Sequence, residues 1–256
     1  MRWTRGTTAA FLATALLVEP ASASAQAVYQ RLAPIDLTGT WVSVVTEDWH
    51  LRMITPKPGE FEGLPLNDEA KKLAAAWTPS RDTRDACQSY GAPSIMRIPG
   101  RVKISWQTGG SVLQIQTDAG QQTRLLHFGG VSPRGQVGWQ GYSVASWEYG
   151  RGFDPVVPPA ANAPQETQAR AAGGTLKIVT ANLKPGYLRK NGVPFSEQAT
   201  VTEYLELELD PRGTPWFVVT TILSDPKYLL RDFVTSSNFK KEPDDSKWHP
   251  TACSVD

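Results

Sequence analysis

The sequence predicts an all-β protein, built as an antiparallel up-and-down β-barrel of about eight or nine strands with one short helix in its N-terminal region. After position 36, runs of alternating apolar and polar residues follow one another, which is typical of strands with one buried face. Tight turns rich in glycine join these runs, so successive strands are antiparallel. Closure of such a sheet into a barrel removes its exposed edges.

The first half of the predicted barrel starts with the strand TWVSVVTED. The helix follows in LNDEAKKLAAAW, from Leu66 to Trp77, because Asn67 can cap its start and alanine, lysine and leucine favour helix. Gly109-Gly110 then predicts a hairpin between SIMRIPGRVKISWQT and SVLQIQTDA. A second turn, Asp118-Ala119-Gly120, leads into QQTRLLHFG. These segments form a three-stranded meander.

The second half contains the aromatic strand VGWQGYSVASWEYG and a break after it. Residues 150–173 are rich in proline, alanine and glutamine without an apolar period, which predicts a mobile surface insertion between two strands. The ladder resumes with GTLKIVTANL, ATVTEYLELELD and PWFVVTTILSD. The polar tail, SSNFKKEPDDSKWHPTACSVD, is expected to be extended.

The N-terminal residues 1–25 have the pattern of a signal peptide. Arg2 and Arg5 precede the apolar stretch AAFLATALLV, and Ala23-Ser24-Ala25 is a small-residue cleavage site. The apolar stretch is too short to span a bilayer, and no later one is long enough. We therefore expect a secreted or periplasmic protein, cleaved near Ala25, whose residues 26–256 form a single β-barrel domain without an integral membrane segment.

Cys87 and Cys253 are the two cysteines of the chain. In an oxidising compartment such a pair is expected to form one disulfide bond, which ties the tail to the first third of the fold. A redox or metal pair is the alternative, but no further cysteine or histidine lies at short spacing.

Several classes of function are disfavoured by charge and motif. The formal net charge of +1 and the lack of a basic stripe give no basis for binding nucleic acid. The three histidines are scattered, so no metal site is predicted. Nucleophile elbow, phosphate loop and dinucleotide fingerprint are absent from the sequence, and no cofactor is expected.

Gly39-Thr40-Trp41 resembles the Gly-x-Trp signature of lipocalins and the broader calycin group, where the tryptophan closes the bottom of the barrel. A longer resemblance, over residues 36–240, is to a group of secreted bacterial lipocalin-like proteins without an agreed activity. It rests on DLTGTW, CQSYGAPSIMRIPG, SVASWEYG, GGTLKIVTANL, SEQATVTEYLEL and ILSDPKYL, in this order. The resemblance implies a lipocalin-like barrel. This chain differs from these proteins by its insertion at 150–173 and by the lack of a final helix pattern. The resemblance therefore supports the fold more than it supports lipocalin-type ligand transport.

Glu203 is the candidate catalytic residue. In TVTEYLELEL it shares a face with Val201 and Leu205, so it points to the interior. A buried carboxylate is costly unless paired or protonated, which suits a general acid or base. His127, inside a strand pattern, is the candidate partner for proton transfer. The alternatives are a structural partner of a buried arginine for Glu203 and a satisfied core or rim residue for His127.

Aromatic side chains on the strands and rims are candidates for lining a ligand site. Glu148 and Tyr228 have simpler alternatives, a solvated strand end and a packed rim. The loop PGYLRKNG carries Arg189 and Lys190, which either meet an anionic ligand or form a solvated turn. The candidate ligand-binding residues are Trp41, Trp106, Trp139, Tyr142, Trp147, Glu148, Tyr204 and Tyr228.

Three functions remain open. A closed barrel lined by aromatic residues predicts a secreted or periplasmic protein that binds a small hydrophobic or amphipathic molecule. An inward carboxylate instead predicts a barrel enzyme, a lyase, isomerase or hydrolase. The third is an envelope scaffold protein that docks through its insertion. The sequence names neither ligand nor reaction and does not decide whether the protein is an enzyme.

Overall fold

Nine strands close into a barrel in the computed structural model, which describes residues 28–79, 83–130, 137–155 and 163–254. The predicted signal peptide lies outside the described residues. The strands are β1 Gly39–Val44, β2 Arg101–Trp106, β3 Val112–Thr117, β4 Thr123–Phe128, β5 Tyr142–Tyr149, β6 Gly174–Ala181, β7 Gly186–Tyr187, β8 Pro194–Phe195, β9 Thr200–Leu209, β10 Pro215–Ser224 and β11 Phe233–Lys241. The order around the barrel is β1-β11-β10-β9-β6-β5-β4-β3-β2, and β7 and β8 form a separate ribbon.

Short helices occupy the connections. The predicted helix is present as α3, and its cap is confirmed, because the Asn67 Oδ1 atom accepts a 2.9 Å hydrogen bond from the Ala70 N–H. It is shorter than the predicted Leu66–Trp77 and is not the only helix. The helices are α1 Val28–Arg31, α2 Trp49–Arg52, α3 Asp68–Ala76 and α4 Ala163–Ala172, with 3₁₀ helices at Thr83–Tyr90 and Ile95–Arg97.

The barrel is mixed, so the prediction of a wholly antiparallel up-and-down order is wrong at one place. Strands β4 and β5 are parallel, with Leu126 opposite Ser143 and Phe128 opposite Ala145. Between Phe128 and Tyr142 the chain returns to the end of the barrel where β4 began. A parallel neighbour needs such a crossover, whereas a tight turn would have made the pair antiparallel.

The ninth strand of the barrel, β11, overlaps the start of the segment that the sequence predicts as an extended polar tail. It pairs with β10 on one side and β1 on the other, with Phe239 opposite Phe217 and Ser43. Its inward face includes Ser237 as well as Phe239, both buried. Because Ser237 is polar, the sequence of this strand lacks the apolar alternation that would have predicted it. Pairing with β10 and β1 closes the barrel.

The predicted insertion contains regular structure. Helix α4 buries Ala169 against Val28 and Leu32. Ala169 is the buried residue of α4 in this contact, and one small residue is too little to give the sequence an apolar period. The segment SIMRI, predicted as the start of a strand, is instead the 3₁₀ helix Ile95–Arg97, and β2 begins at Arg101.

The two ends of the barrel are covered by different segments. At one end, here named the plug end, Tyr29 stacks on Phe128 with ring centroids 5.6 Å apart, and the Trp41 indole N–H donates to the Leu37 carbonyl. At the other, the cap end, the 3₁₀ helices place Tyr90, Ile95 and Met96 in contact with the barrel core.

Candidate functional site

Glu203 faces the barrel interior, where it forms an ion pair with Arg124. The Arg124 Nη2 atom lies 2.6 Å from one carboxylate oxygen and Nη1 lies 3.2 Å from the other. Both side chains are 1% exposed. Arg124 also donates to the Thr180 hydroxyl, which bonds to Ser143. A buried carboxylate is thus neutralised by a buried arginine, one of the alternatives that the sequence left open.

His127 lies on the other face of its strand. Arg124, Leu126 and Phe128 are buried inside the barrel, while the intervening His127 is only partly buried. Its ring stacks on Tyr142 at a centroid distance of 4.6 Å and an angle of 3°. Burial lowers the pKa of His127, which favours the neutral imidazole. Because the barrel wall separates them, His127 and Glu203 cannot exchange a proton directly, and the predicted catalytic pair is not assembled.

Three of the predicted ligand-binding tryptophans pack near the plug end. Trp41 is fully buried, with its ring 4.9 Å from that of Phe217 in an edge-to-face contact. Trp106 and Trp147 both pack on Phe128, at 5.2 and 5.3 Å. Trp106 and Trp147 also pack on each other, and all three tryptophans belong to or pack against the barrel core.

The predicted tyrosines and glutamate of the central strands lie outside the barrel. Tyr142 stacks on His127, as described above. Glu148 is 3.0 Å from Lys177, whose ammonium lies 5.4 Å from the centre of the Tyr204 ring. These residues form cross-strand pairs on the outer surface, so they do not face the barrel interior.

The last two candidates lie near the cap end. The Trp139 indole N–H donates to the Pro185 carbonyl, and Lys184 sits 4.3 Å from its ring centre. Tyr228 packs against a second apolar cluster, which includes Leu66, Phe195 and Leu229, and it borders a cavity of about 440 Å³ with Trp77. The predicted set is therefore spread over the core, the outer wall and the cap end.

The barrel interior is a packed core. Its side chains contact one another and are each at most 6% exposed, which leaves no room for a ligand among them. A ligand site therefore has to be sought on the surface. The filling side chains include Val102, Ile104, Leu113, Ile115, Leu126, Phe128, Leu176, Ile178, Leu205, Phe217, Val219 and Phe239.

A surface cavity of about 600 Å³ lies beside the cap end, and we name it the cationic groove. Its walls are residues 51–56, parts of 89–99 and 188–190, Ala119, and the tail at 251–254. Apolar atoms come from side chains such as Leu51, Ile98 and Leu188. Among the residues that the structure describes, the charged side chains that line it are basic: Arg52, Arg97, Arg189 and Lys190.

The three arginines of the groove lie close together. Helix α2 supplies Arg52, whose Nε–H donates to the Arg97 carbonyl at 2.9 Å. Arg97 is 2.9 Å from Asp48, and Arg189 donates to the Glu62 carbonyl at 2.8 Å. Burial first, and the positive charge of Arg97 second, lower the pKa of Arg189 to about 10. The same two causes lower the pKa of Arg52.

Tyr90 and the C-terminal tail form the remaining wall. The Tyr90 hydroxyl accepts a hydrogen bond from the Ser254 N–H, and the Lys190 ammonium lies 5.5 Å from its ring centre. Burial pushes the pKa of Tyr90 upward, but the hydrogen bonds from Ser254 and Lys190 outweigh it and bring the pKa below its ordinary value.

The predicted disulfide is confirmed. Cys87 and Cys253 are bonded, with their Cα atoms 5.1 Å apart. Ala119 also pairs with Thr251, so the tail is fixed beside the β3–β4 turn. Because Thr251, Ala252 and Ser254 line the groove, the disulfide holds one of its walls in place.

Sequence reasoning found part of this groove. The basic loop with Arg189 and Lys190 was a candidate for meeting an anion, and the structure places both residues in the wall. It missed Arg52 and Arg97, which lie far apart in sequence and converge only through the fold. The one local signal was the basic residue at the end of the short α2 segment.

Two further features concern metal ions and membranes. Among the residues that the structure describes, no group of three or more histidine, cysteine, aspartate or glutamate side chains is placed to hold a metal ion. Likewise, none of the described helices has the length and apolar character needed to cross a membrane.

Comparison of the chain with protein-family models, with curated proteins and with solved structures finds no match.

Proposed function

We propose that this protein binds a small amphipathic molecule outside the cytoplasm, in the cationic groove. The proposal is carried by the groove itself, a cavity of about 600 Å³ that sets apolar side chains beside four basic ones. Its size and mixed lining are typical of small-molecule sites. The disulfide supports an oxidising compartment, since such bonds persist outside the cytoplasm.

The apolar part of the site includes side chains that are costly to leave in water. Met53 and Ile54 line the groove and are 60% and 65% exposed. Leu51, Ile98 and Leu188 continue this apolar surface along the cavity. A ligand with an apolar body would remove part of this surface from water, at about 25 cal/mol per Å².

The barrel-enzyme alternative has less support. Glu203 is bound through both oxygens to Arg124, and neither residue lines the cationic groove. His127 lies outside the barrel wall, so the predicted proton partner is not beside the carboxylate that motivated the hypothesis. The envelope-scaffold alternative stays a prediction.

The proposal is tested by titrating the purified protein with octanoate and with octanol, measured by calorimetry. We expect saturable binding of at least one of them, and a dissociation constant at least about fourfold higher in Ile54→Ser, because roughly 0.8 kcal/mol is lost for each methylene no longer buried. Leu209→Ser is the matched control, since Leu209 is equally exposed but is the last residue of β9 and does not line the groove.

Binding that is weakened by Ile54→Ser and not by Leu209→Ser supports the groove as the site. Absence of binding by both molecules, or equal effects of the two variants, would contradict the proposal.

A further inference from the structure

We infer that the cationic groove selects ligands with an oxyanion head group, a carboxylate or a phosphate, and that Arg52 is the residue that recognises it. The inference rests on the proposed function and adds the chemical class of the ligand. Three observations carry it: the burial of Arg52, its unfilled hydrogen-bond donors, and the sign of the surrounding charges.

The Arg52 side chain is 2% exposed, yet most of its donors have no acceptor. Its Nε–H bonds to the Arg97 carbonyl, whereas Nη1 and Nη2 are buried without a hydrogen-bond partner. The nearest acid, Glu47, is 3.6 Å from Nη1, an ion pair but beyond hydrogen-bond length for this contact. Unfilled buried donors are costly, so a ligand that supplied acceptors to both Nη atoms would remove that cost.

A second arginine of the groove repeats the pattern. Arg189 donates through Nη2 to the Glu62 carbonyl, but its Nη1 is buried without a partner. Arg97 lines the same cavity and accepts a hydrogen bond from Arg52 at its carbonyl, and its charge lowers the pKa of both Arg52 and Arg189. The described acids of this region, Glu47, Asp48 and Glu62, do not line the cavity, so the charged side chains that a bound molecule meets in the described part of the chain are basic.

This arrangement suits an oxyanion. The planar guanidinium presents its donors as a fork that matches two oxygens of a carboxylate or phosphate, with charge-assisted hydrogen bonds. Such a head group would fill the Nη donors of Arg52 and offset the repulsion among the arginines. The adjoining apolar wall, with Leu51 and Ile98, would then hold the body of the same molecule.

The test compares octanoate, octyl phosphate and neutral octanol on the wild type, Arg52→Met and the control Arg212→Met, by calorimetry at low salt. Arg212 is exposed in the β9–β10 turn. We expect an anionic probe to bind roughly tenfold or more tightly than octanol, and Arg52→Met to remove that difference without weakening octanol, since a hydrogen bond to a charged group contributes about that much. Arg212→Met should change neither.

The thermal stability of the unliganded variants distinguishes a ligand-binding role of Arg52 from a structural one. We expect the unfolding midpoint of Arg52→Met to stay within about 2 °C of the wild type, because the lost Nε hydrogen bond and Glu47 ion pair are offset by removal of two unfilled buried donors. If Arg52→Met does not fold, Arg189→Met gives the same comparison, since its Nη1 is likewise unfilled.

Each outcome has a defined meaning. A preference for octanoate or for octyl phosphate that depends on Arg52 supports the inference and identifies the head group. Equal binding of octanol and both anions, or equal weakening of all three by Arg52→Met, overturns the inference but leaves the proposed function standing. If none of the three binds, the proposed function fails, and the inference fails with it.

Discussion

Arg124 and Glu203 show how a residue that looks catalytic can be structural. Their facing charges lie in a core of aliphatic and aromatic side chains, and Thr180 fills one further donor of the guanidinium. Removing one partner leaves the other as an uncompensated buried charge, whereas removing both restores an apolar interior. The pair therefore makes an asymmetric prediction about stability.

We predict that Glu203→Gln lowers the free energy of unfolding by about 3–5 kcal/mol, because Arg124 stays buried and unpaired. The double variant Arg124→Met with Glu203→Leu should recover much of this loss. Urea denaturation measures both. Glu206→Gln is the control on the same strand, exposed to solvent, and should stay within about 0.5 kcal/mol of wild type. A Glu203→Gln protein as stable as this control would show that the pair is dispensable.

Gly39 gives the Gly-x-Trp motif a local explanation. Its φ of +105° is one that glycine adopts easily, and an added Cβ would come within 2.7 Å of the Lys241 Nζ atom. That ammonium sits 4.3 Å from the ring centre of Trp41, at the plug end. The glycine thus leaves room for a cation over the tryptophan.

At the scale of elements, the Asn67 side chain makes two hydrogen bonds that fix helix α3. The Asn67 Oδ1 atom caps the helix, while its Nδ2 atom donates to the Lys227 carbonyl at 2.7 Å, in the β10–β11 connection. One face of the helix, with Ala70 and Ala74, packs on the second apolar cluster. Asn67 therefore joins the helix to the barrel as well as starting it.

We predict that Asn67→Ala lowers the free energy of unfolding by about 2 kcal/mol, since a cap and a second hydrogen bond each contribute about 1 kcal/mol. Asn67→Asp keeps the capping acceptor and loses the donor to Lys227, so it should lose about half as much. Thermal and chemical denaturation check both values, with the exposed Lys72→Ala as control. Equal losses in the alanine and aspartate variants would mean that the cap contributes little.

At the scale of the whole molecule, the disulfide couples the end of the chain to the cationic groove. It joins residues 166 positions apart, and the tail it holds contributes three groove residues. A loop of that length corresponds to about 4–5 kcal/mol in the chain-entropy account of disulfide stabilisation. Its loss should affect both stability and ligand binding.

We predict that replacing Cys87 and Cys253 together by serine lowers the free energy of unfolding by about 2–5 kcal/mol and weakens binding of the octyl probes. A reducing agent should act in the same direction on the wild type and have no effect on the double variant. Denaturation and calorimetry with and without reductant measure this. Unchanged binding after reduction would show that the tail keeps its place without the bond.

The sequence by itself determined the features that depend on short stretches of chain. The twofold alternation in TVTEYLELEL placed Glu203 inside, because neighbouring side chains of a strand point to opposite faces. The glycines at 109 and 110 both adopt positive φ in the turn that they predicted. Asn67 capped its helix for an equally local reason. The pairing of the two cysteines followed from their number and their expected compartment.

Only the tertiary structure decided what depends on distant partners. The parallel β4–β5 pair and the polar strand β11 are set by which neighbours each strand meets, which no local pattern records. The filled interior depends on how side chains from all nine strands fit together. The groove depends on Arg52, Arg97 and Arg189 converging from separate segments. The sequence shows that these three residues are positively charged. That they lie together in one groove follows only from the long-range contacts of the fold.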